Sequence, residues 1–308
     1  MRLILCLALL VLAPIAPAAT KSDSASSQFI DKSIVTYPTS LGHYSLVKAS
    51  YDPADVPNGV SLDYDVADAP HELQFNIYVY PLGRVDTAKA VTGAMVEMTG
   101  EIHTLEQQKI YADLKFDDAV EFDVAVPPSS ILKTDEKEDA ASPEEPAAKA
   151  SPGTTKPEDS ALADALQSLV PPIKTTGRKR SLTMTVRGTP SQSLAYVFYR
   201  NLFLISVRAT VPVSTLPPDK FNALVDRAVQ DLVPTMDIQN FGDCGTMHIS
   251  VDEKSTDKDK NAKAGSIQLI HEMARITREN CANKPGPDTA SPTGHEQQAI
   301  VYPAGFWK

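Results

Sequence analysis

His271-Glu272-Met273-Ala274-Arg275 opens like the metal-binding helix of a zinc protease. That chemistry needs two imidazoles one helical turn apart to share the metal, with the glutamate as base. Arginine stands at 275, so the second ligand is missing and the segment reads as the surface of an amphipathic helix. Asp257, Asp259 and Asn261 place oxygens at the first, third and fifth positions of a calcium loop. Such a loop needs glycine at its sixth position for the sharp turn and a bidentate glutamate at its twelfth. Those positions hold Ala262 and Gln268, and Lys258 and Lys260 add repulsion. The stretch reads as a solvated charged loop. The six histidines, His43, His71, His103, His248, His271 and His295, are scattered. No GxSxG elbow presents a nucleophile, and no Walker or GxGxxG loop cradles a phosphate. The reading assigns no catalytic, cofactor-binding or metal-ligating residue and implies no cofactor. An enzyme, uncertain and disfavoured, would have to be a hydrolase whose groups assemble only in three dimensions.

The cysteines carry more information. Met1-Arg2, the apolar run Leu3–Leu12 and Ala16-Pro17-Ala18 have the layout of a cleavable secretory leader. The run is shorter than the roughly 20 apolar residues of a membrane span. Cys6 leaves with that leader, so Cys244 and Cys281 remain. In an exported chain two cysteines are expected to pair. Their bridge closes a loop of about 36 residues, worth about 3–4 kcal/mol by loop entropy. Tyr78, Tyr80, Tyr196, Tyr199 and Tyr302 recur near strand ends. Packing beneath helices with hydroxyls at the rim is the expected use, ahead of a ligand-binding aromatic face. His71-Glu72-Leu73-Gln74 with Val79–Gly83 echoes His295-Glu296-Gln297-Gln298 with Val301–Gly305, which reads as a shared strand-to-turn template.

Strand patterns come first along the chain. Tyr44–Tyr51 is rich in β-formers, Val60–Val66 alternates strictly, and Leu73–Tyr80 alternates again. Asn58-Gly59 and Pro81-Leu82-Gly83 are turn signals. A helix is expected from Thr87 to Leu114, with Asp86 as its cap and Val91, Met95, Met98, Ile102 and Leu105 as its stripe. One strand over 115–126 follows. Leu182–Val186, Leu194–Tyr199 and Leu202–Val211 are further strands, with Arg200-Asn201 as a turn. Phe221, Leu224, Val225, Ala228 and Leu232 form the stripe of a second helix, opened by Pro217 and Pro218. A strand at Thr246–Val251, a helix at Ser266–Glu279 and a last strand ending in Phe306-Trp307 complete the series. Gly177-Arg178-Lys179-Arg180 reads as a solvated basic cluster, and Leu162, Leu166, Leu169 and Val170 as a short helix packed on the domain or merely nascent, ahead of a partner-docking helix.

The chain thus divides into a leader (1–19), a mobile N-terminal segment (20–43), an α+β domain (44–126 and 178–241), a disordered Pro/Ala/acidic insertion (127–177) and a C-terminal extension (242–308). The fold class is α+β, a largely antiparallel sheet packed by helices on both faces. A net charge of −10 over 308 residues repels nucleic acid and anionic lipid. No other stretch is long enough to span a bilayer. The expected location is periplasmic or secreted.

The segments Asn58–Tyr64, Ile77–Pro81, Val91–Leu105, and Phe203–Thr210 leading into Phe221–Leu232 follow an order of elements that resembles the αβα sandwich of the PsbP-like superfamily. The resemblance covers residues 44–126 and 178–240, and the insertion and the tail depart from it. It implies an extracytoplasmic accessory or binding module, and no family site matches residue by residue. The functional expectation is therefore an exported, non-catalytic accessory protein of the cell envelope with a protein partner. The alternatives are the assembled hydrolase and a toxin-neutralising or chaperone-like partner.

Overall fold

The computed structural model describes residues 29–125, 174–250, 258–285 and 291–307. The leader and the nascent helix at 162–170 lie outside them. Thirteen strands and three helices are built from the described residues. β2 (Ser40–Leu41), β3 (Tyr44–Tyr51), β4 (Val60–Val66), β5 (Gln74–Pro81), β6 (Tyr111–Phe116), β7 (Val120–Ala125), β8 (Lys174–Val186), β9 (Thr189–Arg200) and β10 (Phe203–Pro212) form one sheet. Its order is β2-β3-β4-β5-β10-β9-β8-β6, with β7 also on β8, and every pairing is antiparallel. β1 (Lys32–Pro38), β11 (Asp237–Phe241), β12 (Cys281–Ala282) and β13 (His295–Val301) form a second sheet, ordered β12-β11-β1-β13.

Alternation explains how the large sheet becomes the middle layer of an αβα sandwich. Along β9 and β10, Leu194, Tyr196, Phe198, Phe203, Ile205 and Val207 point to one face, and Val197 and Leu204 to the other. α1 (Thr87–Gln107) covers the second face with Ala90, Val91, Ala94 and Met95. Asp86 caps it by accepting from the Lys89 amide at 2.9 Å. α2 (Pro218–Thr235) covers the first face with Phe221, Val225, Ala228 and Leu232. Each fully buried large side chain in these layers contributes about 1.5–3 kcal/mol. β9 is covered on both sides, so it reads as an unbroken buried run from Ser191 to Phe198. Two-residue turns with positive φ, Arg187-Gly188 and Asn201-Leu202, close its hairpins, in the manner that suits the strand twist.

Several boundaries differ from the sequence reading. The segment 20–43 was expected to be mobile, yet β1 is buried between β11 and β13. Its partners come from about 200 and 260 residues later, so no local pattern announces it. The first helix stops at Gln107 and not at Leu114, because Lys109 turns the chain at φ 60° and Tyr111 enters β6. The strand over 115–126 is two strands, one on each half of the long β8. β8 begins at Lys174, so the last residues of the expected disordered insertion are paired strand; residues 127–173 lie outside the description. No strand forms at Thr246–Ser250. α3 (Lys258–Glu279) starts eight residues before Ser266, so the would-be calcium loop is helical from Lys258 onward. The C-terminal extension is no appendage: β12 and β13 complete the small sheet.

Candidate interaction surfaces

The groups able to do chemistry are spread out and engaged. His43 pairs with Asp68 at 3.0 Å, His103 with Glu106 at 3.3 Å, and His248 lies 3.7 Å from Asp243, all near the surface. His295 Nδ1 sits 3.2 Å from the Thr293 carbonyl, and His71 and His271 are exposed. Among the described residues no histidine ring bonds a hydroxyl, and no three potential metal ligands come together. Asp257 lies outside the described residues, while Gln268 uses its oxygen to accept from the Ser250 amide.

The basic cluster at 177–180 is not solvated. Alternation along β8 sends Lys179 toward α2 and Arg180 toward α1. Lys179 Nζ bonds both Asp226 oxygens at 2.7 and 2.8 Å, and Arg180 donates to the Thr99 hydroxyl at 2.8 Å. Burial, aided by the Asp226 carboxylate that its hydroxyl bonds at 2.5 Å, holds the Tyr196 phenol far above its usual range. Tyr199 donates to the Gly83 carbonyl and Tyr302 to the Ser33 hydroxyl. Most of the recurrent tyrosines therefore serve packing, with hydroxyls tied to the frame. The echoed turns share one trait, a glycine at positive φ, at Gly83 and Gly305.

Cys244 and Cys281 form a disulfide, with Cα atoms 5.8 Å apart. It fastens the turn after β11 to β12 beside a charged network. Glu279 accepts from Arg84 at 2.6 and 2.8 Å and from Arg275 at 3.0 Å. Arg275 also bonds Glu272 at 2.7 Å and the carbonyls of Cys244 and Thr246 at 2.7 and 2.9 Å. Arg275, which removes the zinc-protease motif, is thus the bolt between α3 and the disulfide turn. Its bond to Glu272 holds that carboxyl below the usual range.

Apolar surface, by contrast, is left open. A groove of about 390 Å³ lies between α1 and the segment after β5. Leu204 of β10 forms its floor, Ala90, Gly93 and Ala94 one wall, and the exposed Leu82 and Val85 the other. Asp86, Lys89 and Glu97 stand on the rim. A Cβ added at Gly93 would meet no atom within 4 Å, so the groove is open at that point. Next to the floor, Tyr80 is pushed up to about 12 by burial and by the nearby Glu97 and Glu101. The groove is apolar with an acidic edge, which suits an apolar segment flanked by cations. The sequence reading found the α1 stripe but missed Leu82, Val85 and Gly93. Gly93, a glycine inside a helical pattern, was the available signal.

No known family model and no characterised protein sequence matches this chain. Among the described residues no helix is long and apolar enough to cross a membrane.

Proposed function

We propose that this protein is an exported, non-catalytic accessory factor of the cell envelope that acts by binding a protein partner. The α1 groove carries this reading. Its walls and floor are apolar, and its rim holds two carboxylates and one amine that create no reactive pair. A small apolar groove with a few polar groups at its rim suits the seating of an apolar side chain. The disulfide fits an oxidising compartment, and the leader-like first residues fit export. The order of elements that resembles the PsbP-like sandwich, whose members include extracytoplasmic accessory proteins, points toward the same reading.

The test is recovery of partners from the native envelope fraction by the mature protein, compared with Gly93→Trp. The substitution fills the groove from a position with free space around it. Mass spectrometry should find a protein retained by the wild type and lost from the variant. Identical recovery by both, together with turnover of generic ester or peptide substrates, would sink the proposal in favour of a hydrolase.

A further inference from the structure

The α1 groove continues past its apolar notch into a charged one. The ladder of β5 and β10 sets Tyr80 directly opposite Leu204. Side chains paired in this way stand about 5 Å apart on one face of a sheet. The floor therefore runs from Leu204 onto Tyr80, which packs against the same cluster. On the helix above, Glu97 follows Gly93 by one turn and Glu101 follows Glu97 by another. Glu97 lines the groove, and both carboxylates bear on the Tyr80 hydroxyl.

Both glutamates are exposed, and among the described residues neither makes an ion pair or a hydrogen bond. Like charges four apart on a helix repel and cost it stability. A cation seated between them relieves that cost. Nothing on the protein supplies it. Arg208, which shares this sheet face, reaches the other way, and its guanidinium lies 5.4 Å from the Tyr111 ring of β6. α1 packs chiefly on β6, β8, β9 and β10, so Tyr78 of β5, beyond Tyr80, is left 37% exposed. A second helix laid beside α1 over β5 would continue the layer.

We infer that the occupant of the groove is a basic helical segment of the protein partner. It seats one apolar side chain over Leu204 and sets a lysine or arginine, one helical turn along, between Glu97, Glu101 and the Tyr80 ring. This rests on the reading of the groove as a contact site and adds what the contact selects. Side chains four apart on a helix stand about 5–6 Å from each other, which matches the step from Leu204 to Tyr80. The ring face of Tyr80 adds a cation–π contact to the two carboxylates. The net charge of −10 favours encounter with a basic segment.

Titration of the isotope-labelled, oxidised mature chain with alanine-based helical peptides tests this, read at the amides of Leu82, Val85, Gly93 and Glu97. One peptide carries leucine and lysine four residues apart, one has glutamate for the lysine, and one has alanine for the leucine. The leucine–lysine peptide should shift these amides saturably. The glutamate form should bind roughly fivefold more weakly, the scale of two exposed ion pairs. In Glu97→Lys with Glu101→Lys the order of the two should reverse, with the rest of the spectrum unchanged. Equal binding of the lysine and glutamate forms, or an order that survives the charge reversal, overturns the inference and leaves the apolar seat standing. No shift with any peptide, or equal binding of the leucine-free form, takes the contact-site reading down as well.

Discussion

Arg275 bonds four residues at once, Cys244, Thr246, Glu272 and Glu279, and it is mostly buried. Removing it leaves Glu279 with Arg84 alone and strips two carbonyls of their donor. Arg275→Ala should cost about 2–3 kcal/mol in urea unfolding, the penalty for breaking a buried pair discounted for residual exposure. Glu272 gives a pH dependence of definite sign. Its folded-state pKa lies below the ordinary 4.5, chiefly through the Arg275 hydrogen bond. The stabilisation is therefore present above pH 4.5 and is lost as pH falls through the lowered native value. Amide protection at His248, corrected for intrinsic exchange, should drop across that interval, and in Glu272→Gln the acid-dependent step should vanish. Sequence alone showed Arg275 only as the residue that spoils a metal motif. Its role comes from carbonyls about 30 residues away, which no local pattern contains.

At the scale of elements, legibility followed locality. β3 begins and ends where its run of β-formers places it, and β4 where its alternation and the Asn58-Gly59 turn place it. α1 starts at its Asp86 cap. β6 was hidden because Asp113 takes φ 55° and the ladder slips between Ala112 and Lys115, which destroys the period of two. The start of β8 was hidden because its charged residues find their partners far away in the chain, Lys174 at Asp123 of β7, Lys179 at Asp226 of α2 and Arg180 at Thr99 of α1. Gly177 within that strand makes a sharp prediction. A methyl there would run into the Phe198 ring and the Val197 carbonyl. Gly177→Ala should destabilise by about 1–3 kcal/mol through overpacking. Gly177→Ala combined with Phe198→Leu, which clears the ring, should recover part of that loss by the same denaturation measurement.

Across the whole molecule the two sheets share one core, and residues from both ends meet in it. Ile30, Val35 and Tyr37 pack with Ile300 and Tyr302. Ser33, fully buried, donates to Asn240 at 2.6 Å and accepts from Tyr302 at 3.0 Å. Phe29, Phe306 and Trp307 stack around the same end, with Arg84 4.2 Å above the Phe29 ring. A chain ending at Pro285 would keep its disulfide but bare the long edge of β1. Calorimetry should then show the single cooperative transition of the full chain replaced by a broad one, with aggregation on heating.

The pairing of β1 with β13 also sets a clock. The Tyr302 hydroxyl and its Ser33 partner are 269 residues apart in the chain. The strand made first has no neighbour on that side until almost the last residue has been made. Until that closing strand exists the small sheet stays open on one side, so the first strand made is among the last to be locked in place.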